Sequence, residues 1–287
     1  MPLGAHMSVA GGVSQGLVRA RKIKIDAVQI FTKNNNRWFD KPLDPDEIER
    51  FRVGARDFDR ANLFSHACYL INLASADPEL HKKSMASMHD ELVRAEALGL
   101  SWVVLHPGAH MGQGEDVGLE RVAASLRTLL QQTRGFKSGI LLESTAGQGT
   151  SLGHRFEHLA TLRRKAHARR RLGICIDTCH LLAAGYEIRD REGYRQTMRE
   201  LDRTVGIRHV HAIHINDSKK PLGSRVDRHA HIGEGEIGIR GFQWLLNDPR
   251  FRHLPMVLET PKGPEMKEDV RNLRRLKSLI GAVRVRP

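Results

Sequence analysis

His209–Gly235 reads HVHAIHINDSKKPLGSRVDRHAHIGEG. It opens with Val210–His214, a short β-branched and apolar run, and that run ends in His214, Asn216 and Asp217, side chains that a strand core would not choose. A loop rich in proline and glycine follows, and beyond it stand Asp227 and His229, an acid and an imidazole one residue apart. In an extended segment side chains two apart leave on the same side, roughly 6.5–7 Å apart at their α-carbons. One cation could hold both.

The same grammar recurs outward from this stretch. Apolar runs occupy Leu3–His6, Ala27–Phe31, Leu63–His66, Val103–His106, Ile140–Glu143, Leu172–Asp177, Val210–His214 and Met256–Glu259, each followed by a loop and a helix-like segment. Asp44-Pro45 and Asp77-Pro78 each offer an N-cap acid followed by a proline suited to a first helical turn, and Gly99 stands where a helix over Pro78–Leu98 needs a C-terminal glycine. Near-continuous apolar runs alternating with helices mean parallel strands buried on both faces. Eight such units predict a closed (β/α)8 TIM barrel, and residues 1–287 are expected to form it as a single domain, since such barrels commonly run to about 250 residues. An open doubly wound sheet is the alternative, because alternation alone does not prove closure. Long insertions fall at roughly 31–44 and 215–240, and the charged last helix, Pro264–Ile280, is expected to be a solvated outer element.

Lys and Arg number 46 against 33 Asp and Glu, a formal charge of +13, and the bases are spread along the chain. Such an excess favours a polyanionic partner, whose counterions are released on binding. The three cysteines, Cys68, Cys175 and Cys179, form no disulfide framework, which fits a reducing cytoplasm, and Cys175 sits in an apolar run as a small core residue. No segment approaches the roughly 18 apolar residues of a membrane span, and the N-terminus lacks a basic and apolar leader pattern.

The strand ends carry the chemistry. From Leu63 onward every run finishes in a metal-competent residue: His66, His106, Glu143, Asp177, His214 and Glu259. The C-terminal strand ends of a parallel barrel form its active face, so these six converge, and loop residues His180, Asp227 and His229 extend the set to nine. A single histidine at a strand end is more often hydrogen-bonded than metallated. Repetition at six successive ends overrides that expectation, because a carboxylate closing an apolar run is costly to bury unless paired or metal-bound. Imidazoles and carboxylates without thiolates suit zinc or manganese in open, hydrolytic sites. Nine ligands exceed one tetrahedral ion, so two or three ions bridged by carboxylates are expected, the arrangement that clamps the attacking and leaving oxygens of a phosphoryl transfer.

Three weaker features accompany the nine. Ala146-Gly147-Gln148-Gly149-Thr150 could approach a phosphate or be a tight loop. His6 is placed behind the metal ligands. Tyr69 and Leu70, just past His66, could wedge into a base stack or cap the barrel. His209, His211 and His231 read as core or surface.

The segments FTKN, HACYLINLAS, HPGAH, ESTAGQG, CIDTCH, HINDSK, GSRVDRHAHIGEG and LET resemble, in order and approximate spacing, the endonuclease IV family of apurinic/apyrimidinic endonucleases of bacterial type. The resemblance covers nearly the whole chain, and CIDTCH with GSRVDRH is highly specific. It implies a TIM barrel holding three zinc ions, with manganese an option at one site. His66, His106 and Glu143 would hold the first. Glu143 would bridge to a second held by Asp177, His214 and Glu259, and His180, Asp227 and His229 would hold the third. It also implies hydrolysis 5′ to abasic sites in double-stranded DNA, leaving a 3′-hydroxyl and a 5′-deoxyribose phosphate, and removal of 3′-blocking groups at nicks. Glu143 and Glu259 would be catalytic. Tyr69 and Leu70 match wedge positions. Where some members present a penetrating arginine this chain has Asn36 in the ungapped register, with Arg37 one place later. The family implies a cytoplasmic monomer. A sugar isomerase or epimerase is the competing enzyme class, and a DNA-binding protein without catalysis the competing class outside enzymes.

Overall fold

Eight parallel strands close on themselves in a computed structural model that describes residues 1–167 and 170–282. In chain order the elements are β1 (Leu3–His6), α1 (Ser14–Lys22), β2 (Ala27–Phe31), α2 (Pro45–Ala55), β3 (Leu63–His66), α3 (Pro78–Leu98), β4 (Trp102–Leu105), α4 (Glu115–Gln132), β5 (Gly139–Glu143) and α5 (Phe156–Ala166). There follow β6 (Leu172–Asp177), α6 (Thr178–Ala184), α7 (Arg191–Thr204), β7 (Val210–His214), the short pair β8 (Asp217–Ser218) and β9 (His229–Ala230), α8 (Gly238–Leu246), β10 (Met256–Leu258) and α9 (Lys267–Leu279). The barrel order is β1-β10-β7-β6-β5-β4-β3-β2, and β1 pairs in parallel with both β2 and β10, which excludes the open sheet.

The punctuation works as its chemistry dictates. Asp44 accepts from the amides of Asp46 and Glu47, Asp77 from that of Leu80, and Gly99 closes α3 at φ +77°, a left-handed backbone that favours glycine. Two runs stop one residue early: β4 ends at Leu105 and β10 at Leu258, so His106 and Glu259 sit just beyond the ladder. The last helix differs more from expectation. It starts at Lys267 and buries Asp269, Asn272, Leu273, Leu276 and Leu279 along one face, so it is a packed amphipathic element rather than a solvated one.

The lumen is filled by Ala27, Phe64, Val104, Leu141, Cys175, Ala212 and Val257. Below them the Trp102 and His211 rings stack 4.8 Å apart. Gly173 is required there, since a β-carbon on it would run into the His211 ring. The N-terminal end of the barrel is therefore plugged. The insertion at 215–240 is ordered by the antiparallel β8–β9 pair and by Asp217, whose fully buried carboxylate accepts from the amides of Ser218, Gly233, Gly235 and Ile237.

Candidate metal centre

Nine side chains meet at the C-terminal end of the barrel, in three groups. His66, His106 and Glu143 form one; Glu143, Asp177, His214 and Glu259 a second; His180, Asp227 and His229 a third. Within each group one ligand atom per residue lies within 4.8 Å of all the others. Glu143 belongs to two groups, as a bridging carboxylate must. β3, β5, β6 and β7 deliver His66, Glu143, Asp177 and His214 from their last residues, while α6 brings His180 and the β8–β9 insertion brings Asp227 and His229.

The ring tautomers fit cations. His66 Nδ1 donates to Ala67 O at 2.7 Å, His180 Nδ1 to Ser144 O at 2.8 Å and His229 Nδ1 to Glu259 O at 3.2 Å. Each bond spends Nδ1 as a donor, so Nε2 faces the centre and offers its lone pair once the ring is neutral. His180 Nε2 stands 3.0 Å from Asp227 Oδ2 and His229 Nε2 3.2 Å from Asp227 Oδ1. Both nitrogens are nevertheless buried without a hydrogen-bond partner. Lone pairs and carboxylate oxygens that converge this closely share an acceptor's need for a positive ion. Harder oxygen with borderline nitrogen and no sulfur suits zinc or manganese.

The charges are mutually dependent. Burial would raise the Glu143 pKa, but the His214 and His106 charges outweigh it and hold the carboxyl well below its usual range. Burial would lower His229, yet the Asp177 and Asp227 carboxylates push it up to about 9. Without a metal, the cluster balances its acids with protons on its histidines.

Two residues outside the nine, Gln29 and Asn216, orient the ligands, and of these only Gln29 draws no notice in the sequence. Gln29, fully buried in β2, accepts from His214 Nε2 at 2.8 Å, and its amide donates to Glu259 Oε1 at 2.5 Å and His6 Nδ1 at 2.8 Å. His214 Nδ1 is thereby turned toward Glu143 Oε1 at 3.0 Å and Glu259 Oε2 at 3.2 Å. Asn216 donates to Asp177 Oδ2 at 2.7 Å and accepts from the Glu259 amide. An amide within the apolar run AVQIF was the available signal for Gln29. His6 lies behind the ligands as expected, pushed down to about 4 by burial despite its contact with Glu259.

A second cluster, Glu115, His154 and His158, is built differently. His158 Nε2 lies 3.2 Å from Glu115 Oε2 and 3.1 Å from Arg155 Nε, and the Arg155 guanidinium lies 2.7 Å from the same carboxylate oxygen. Its charges are already matched. Cys175 and Cys179 stay thiols, pushed up by burial to about 11 and about 12, with Cys179 directed at Arg228 O.

Beside the ligands opens a cavity of about 420 Å³ lined by Tyr69, Asn72, His106, Gln148, His180 and Asp227. The glycine-rich loop closes one side, Gln148 Oε1 accepting from the Asp227 amide at 3.2 Å. The Tyr69 ring lies 5.4 Å from that of His66, yet the residue is 56% exposed, and Leu70 beside it is 36% exposed. Asn36 and Arg37 are both exposed at the tip of the loop after β2. That loop is braced from behind, where buried Lys33 Nζ meets Asp90 at 3.1 Å and Glu91 at 3.3 Å, and Arg94 donates to the carbonyls of Asp40 and Lys41.

Residues 17–276 match the profile of a family described as xylose isomerase-like TIM barrel. Over 277 residues the chain is 53% identical to a probable endonuclease 4 of Chloroflexus aurantiacus, covering 96% of this chain and 97% of that protein. The chain belongs to the endonuclease IV family. The crystal structure of endonuclease IV from Thermus thermophilus superposes with a TM-score of 0.85 at 38% identity, covering 99% of this chain and 100% of that one. A D-tagatose 3-epimerase-like protein shares the fold at a TM-score of 0.74 and 19% identity, over 97% of each chain. The barrel alone does not set endonuclease IV apart from such proteins, so function has to be argued from the site. No helix among the described residues is long and apolar enough to cross a membrane.

Proposed function

We propose that this endonuclease IV family member is a zinc-dependent DNA-repair hydrolase that cuts the phosphodiester 5′ to an abasic site, leaving a 3′-hydroxyl and a 5′-deoxyribose phosphate, and that it clears 3′-blocking groups from nicks. The observation that carries this reading is the third ligand group, His180, Asp227 and His229, beside the two groups that share Glu143, with His106, His180 and Asp227 lining one cavity. Nine ligands in three groups suit three zinc ions, with manganese able to replace one. When bound, such ions withdraw charge from a phosphate, acidify a water and stabilise a leaving oxygen.

The chain's own groups do the rest. Gln29 holds Glu259 Oε1, so Oε2 faces the centre. The fully buried Glu143 stays ionised between His66, His106 and His214. Tyr69 and Leu70, exposed at the rim, would wedge into a base stack at the lesion, and Asn36 and Arg37 would enter the groove. The cavity beside them takes the displaced sugar. One barrel domain, acting as a monomer in the cytoplasm, is sufficient for this work.

Incision of a duplex carrying one tetrahydrofuran abasic analogue, with and without prior removal of zinc, tests the proposal. That analogue cannot undergo β-elimination, so a metal-dependent nick with a polymerase-extendable 3′ end supports hydrolysis. A zinc-loaded, folded protein that leaves the duplex intact would redirect the site to sugar phosphates, the substrates of the epimerase alternative.

A further inference from the structure

Part of the basic excess lies away from the metal centre. Four neighbouring barrel strands, β5, β6, β7 and β10, are each entered at the N-terminal end by a loop bearing an exposed arginine: Arg134, Arg170, Arg208 and Arg252. Two nearby cations are matched, Arg250 with Asp248 and Lys165 with Glu120. None of the four arginines has a carboxylate oxygen within 4.0 Å among the described residues. Two acids on this face are engaged by backbone amides: Asp202 accepts from that of Ile207, and Glu96 from those of Lys137 and Ser138. Burial and then the Arg208 charge lower Arg163, and burial, Arg163 and Arg208 lower His209, as expected where like charges crowd without compensation.

Helix dipoles explain only part of this pattern. Bases are favoured in a last helical turn, which accounts for Arg163, Arg164 and Lys165 at the end of α5. The four arginines lie outside the α-helices, in the connections that follow them. They are also far from the mouth: α3 runs the height of the barrel with 21 residues, about 30 Å at 1.5 Å per residue. A duplex lying on the metal end does not reach the opposite face.

We propose that this arginine arc is a second DNA-binding surface, which grips the phosphate backbone of another, undamaged duplex segment without reading its sequence while the mouth holds a lesion. The planar guanidinium fork matches phosphate oxygens, and a duplex offers them in a continuous row. The choice of DNA over another polyanion rests on the function proposed above. Such a surface holds the protein near DNA between incisions by raising the effective concentration of sites.

The test compares wild type with R134Q/R170Q/R208Q/R252Q, four exposed changes, and with the corresponding Arg→Lys quadruple variant, all zinc-loaded. Affinity for a long undamaged duplex is followed by fluorescence anisotropy against salt, and incision of a short tetrahydrofuran duplex is followed in parallel. The glutamine variant is expected to bind undamaged duplex at least tenfold more weakly at low salt, with a log Kd against log salt slope reduced by about two to four. The lysine variant is expected to restore most of both, and short-duplex incision at saturation to stay within twofold. An unchanged affinity and slope overturns the proposal, as does a parallel loss of short-duplex incision. If arginine-dependent DNA binding persists in a protein that incises nothing, the arc stands and the proposed hydrolysis fails.

Discussion

His214 and Gln29 face each other inside the mouth of the barrel, the ring Nε2 donating to the amide oxygen across 2.8 Å. That bond fixes the His214 tautomer and turns Nδ1 toward Glu143 and Glu259. The other end of the amide donates to Glu259 and His6, so one side chain from β2 sets the geometry of ligands from β7 and β10.

Gln29→Met keeps the bulk and removes all three bonds. Partners of this kind are worth about 10- to 100-fold in metal affinity or activity. The variant is expected to surrender metal to a competing chelator at least tenfold more readily, with the barrel still folded by circular dichroism. Wild-type retention of metal would reduce Gln29 to a packing residue.

Glu259→Gln removes a carboxylate charge while leaving an amide of the same shape. Turnover is expected to fall by more than about 1000-fold, which corresponds to roughly 4 kcal/mol of transition-state stabilisation, with affinity for abasic duplex held within a few-fold. Near wild-type cleavage in single-turnover assays would remove Glu259 from the catalytic set.

Tyr69→Ala acts on recognition instead. The ring packs edge-to-face with Phe31 and tilted against His66, and the residue remains largely exposed at the rim. Loss of a stacking aromatic costs about 1–3 kcal/mol, so abasic-duplex Kd should rise by about 5- to 150-fold with little change in affinity for undamaged duplex. Equal affinity for both DNAs before and after the change assigns Tyr69 to capping the barrel.

Metal loading should expel protons. His229 is raised to about 9, against 6.5 for a free imidazole. A raised histidine contributes stability to the metal-free fold that is fully present below pH 6.5 and is lost as pH climbs through about 9. Zinc needs the neutral ring, so at pH 7.5 its binding must displace that proton, and apparent affinity should increase with pH up to about 9. Calorimetry in two buffers of different ionisation enthalpy reads the proton count directly. A buffer-independent heat at pH 7.5 contradicts the assignment of His229 as a ligand.

The strand ends were legible because a metal site has to interrupt the apolar runs of a buried parallel sheet with nitrogen and oxygen. His66, Glu143, Asp177 and His214 close their strands as the runs predict, and His106 and Glu259 lie one residue past theirs. Gln29 interrupts its run in the same manner, but an amide is not one of the imidazole and carboxylate ligands that mark a zinc site, and only the fold shows that three partners surround it. His211, read as core or surface, is a plug against Trp102 near the start of β7. Composition spoke for a polyanion without saying where it binds. The direction of each strand assigns Arg134, Arg170, Arg208 and Arg252 to the closed face. The underside of α9 was missed because its charged residues outnumber the apolar stripe of Leu273, Leu276 and Leu279.

Asp217 links loop stability to the third ligand group. Its carboxylate takes four backbone amides, Gly233 and Gly235 on Oδ2 and Ser218 and Ile237 on Oδ1, and those amides order the insertion that carries Asp227 and His229. Asp217→Asn puts an NH2 group against two of the four donors inside a fully buried pocket. At about 1–3 kcal/mol for each buried donor left unmet, the loss should be about 2–6 kcal/mol, and Tm should fall by about 4–20 °C for a chain of this size. Asp227 and His229 ride on the loosened segment, whereas His66, His106 and Glu143 are set by the strands. Metal content after dialysis should therefore drop by one ion per chain before the other two are affected. Full stoichiometry in a variant with lowered Tm would separate loop order from metal binding and show that the third group is held by His180 and the barrel alone.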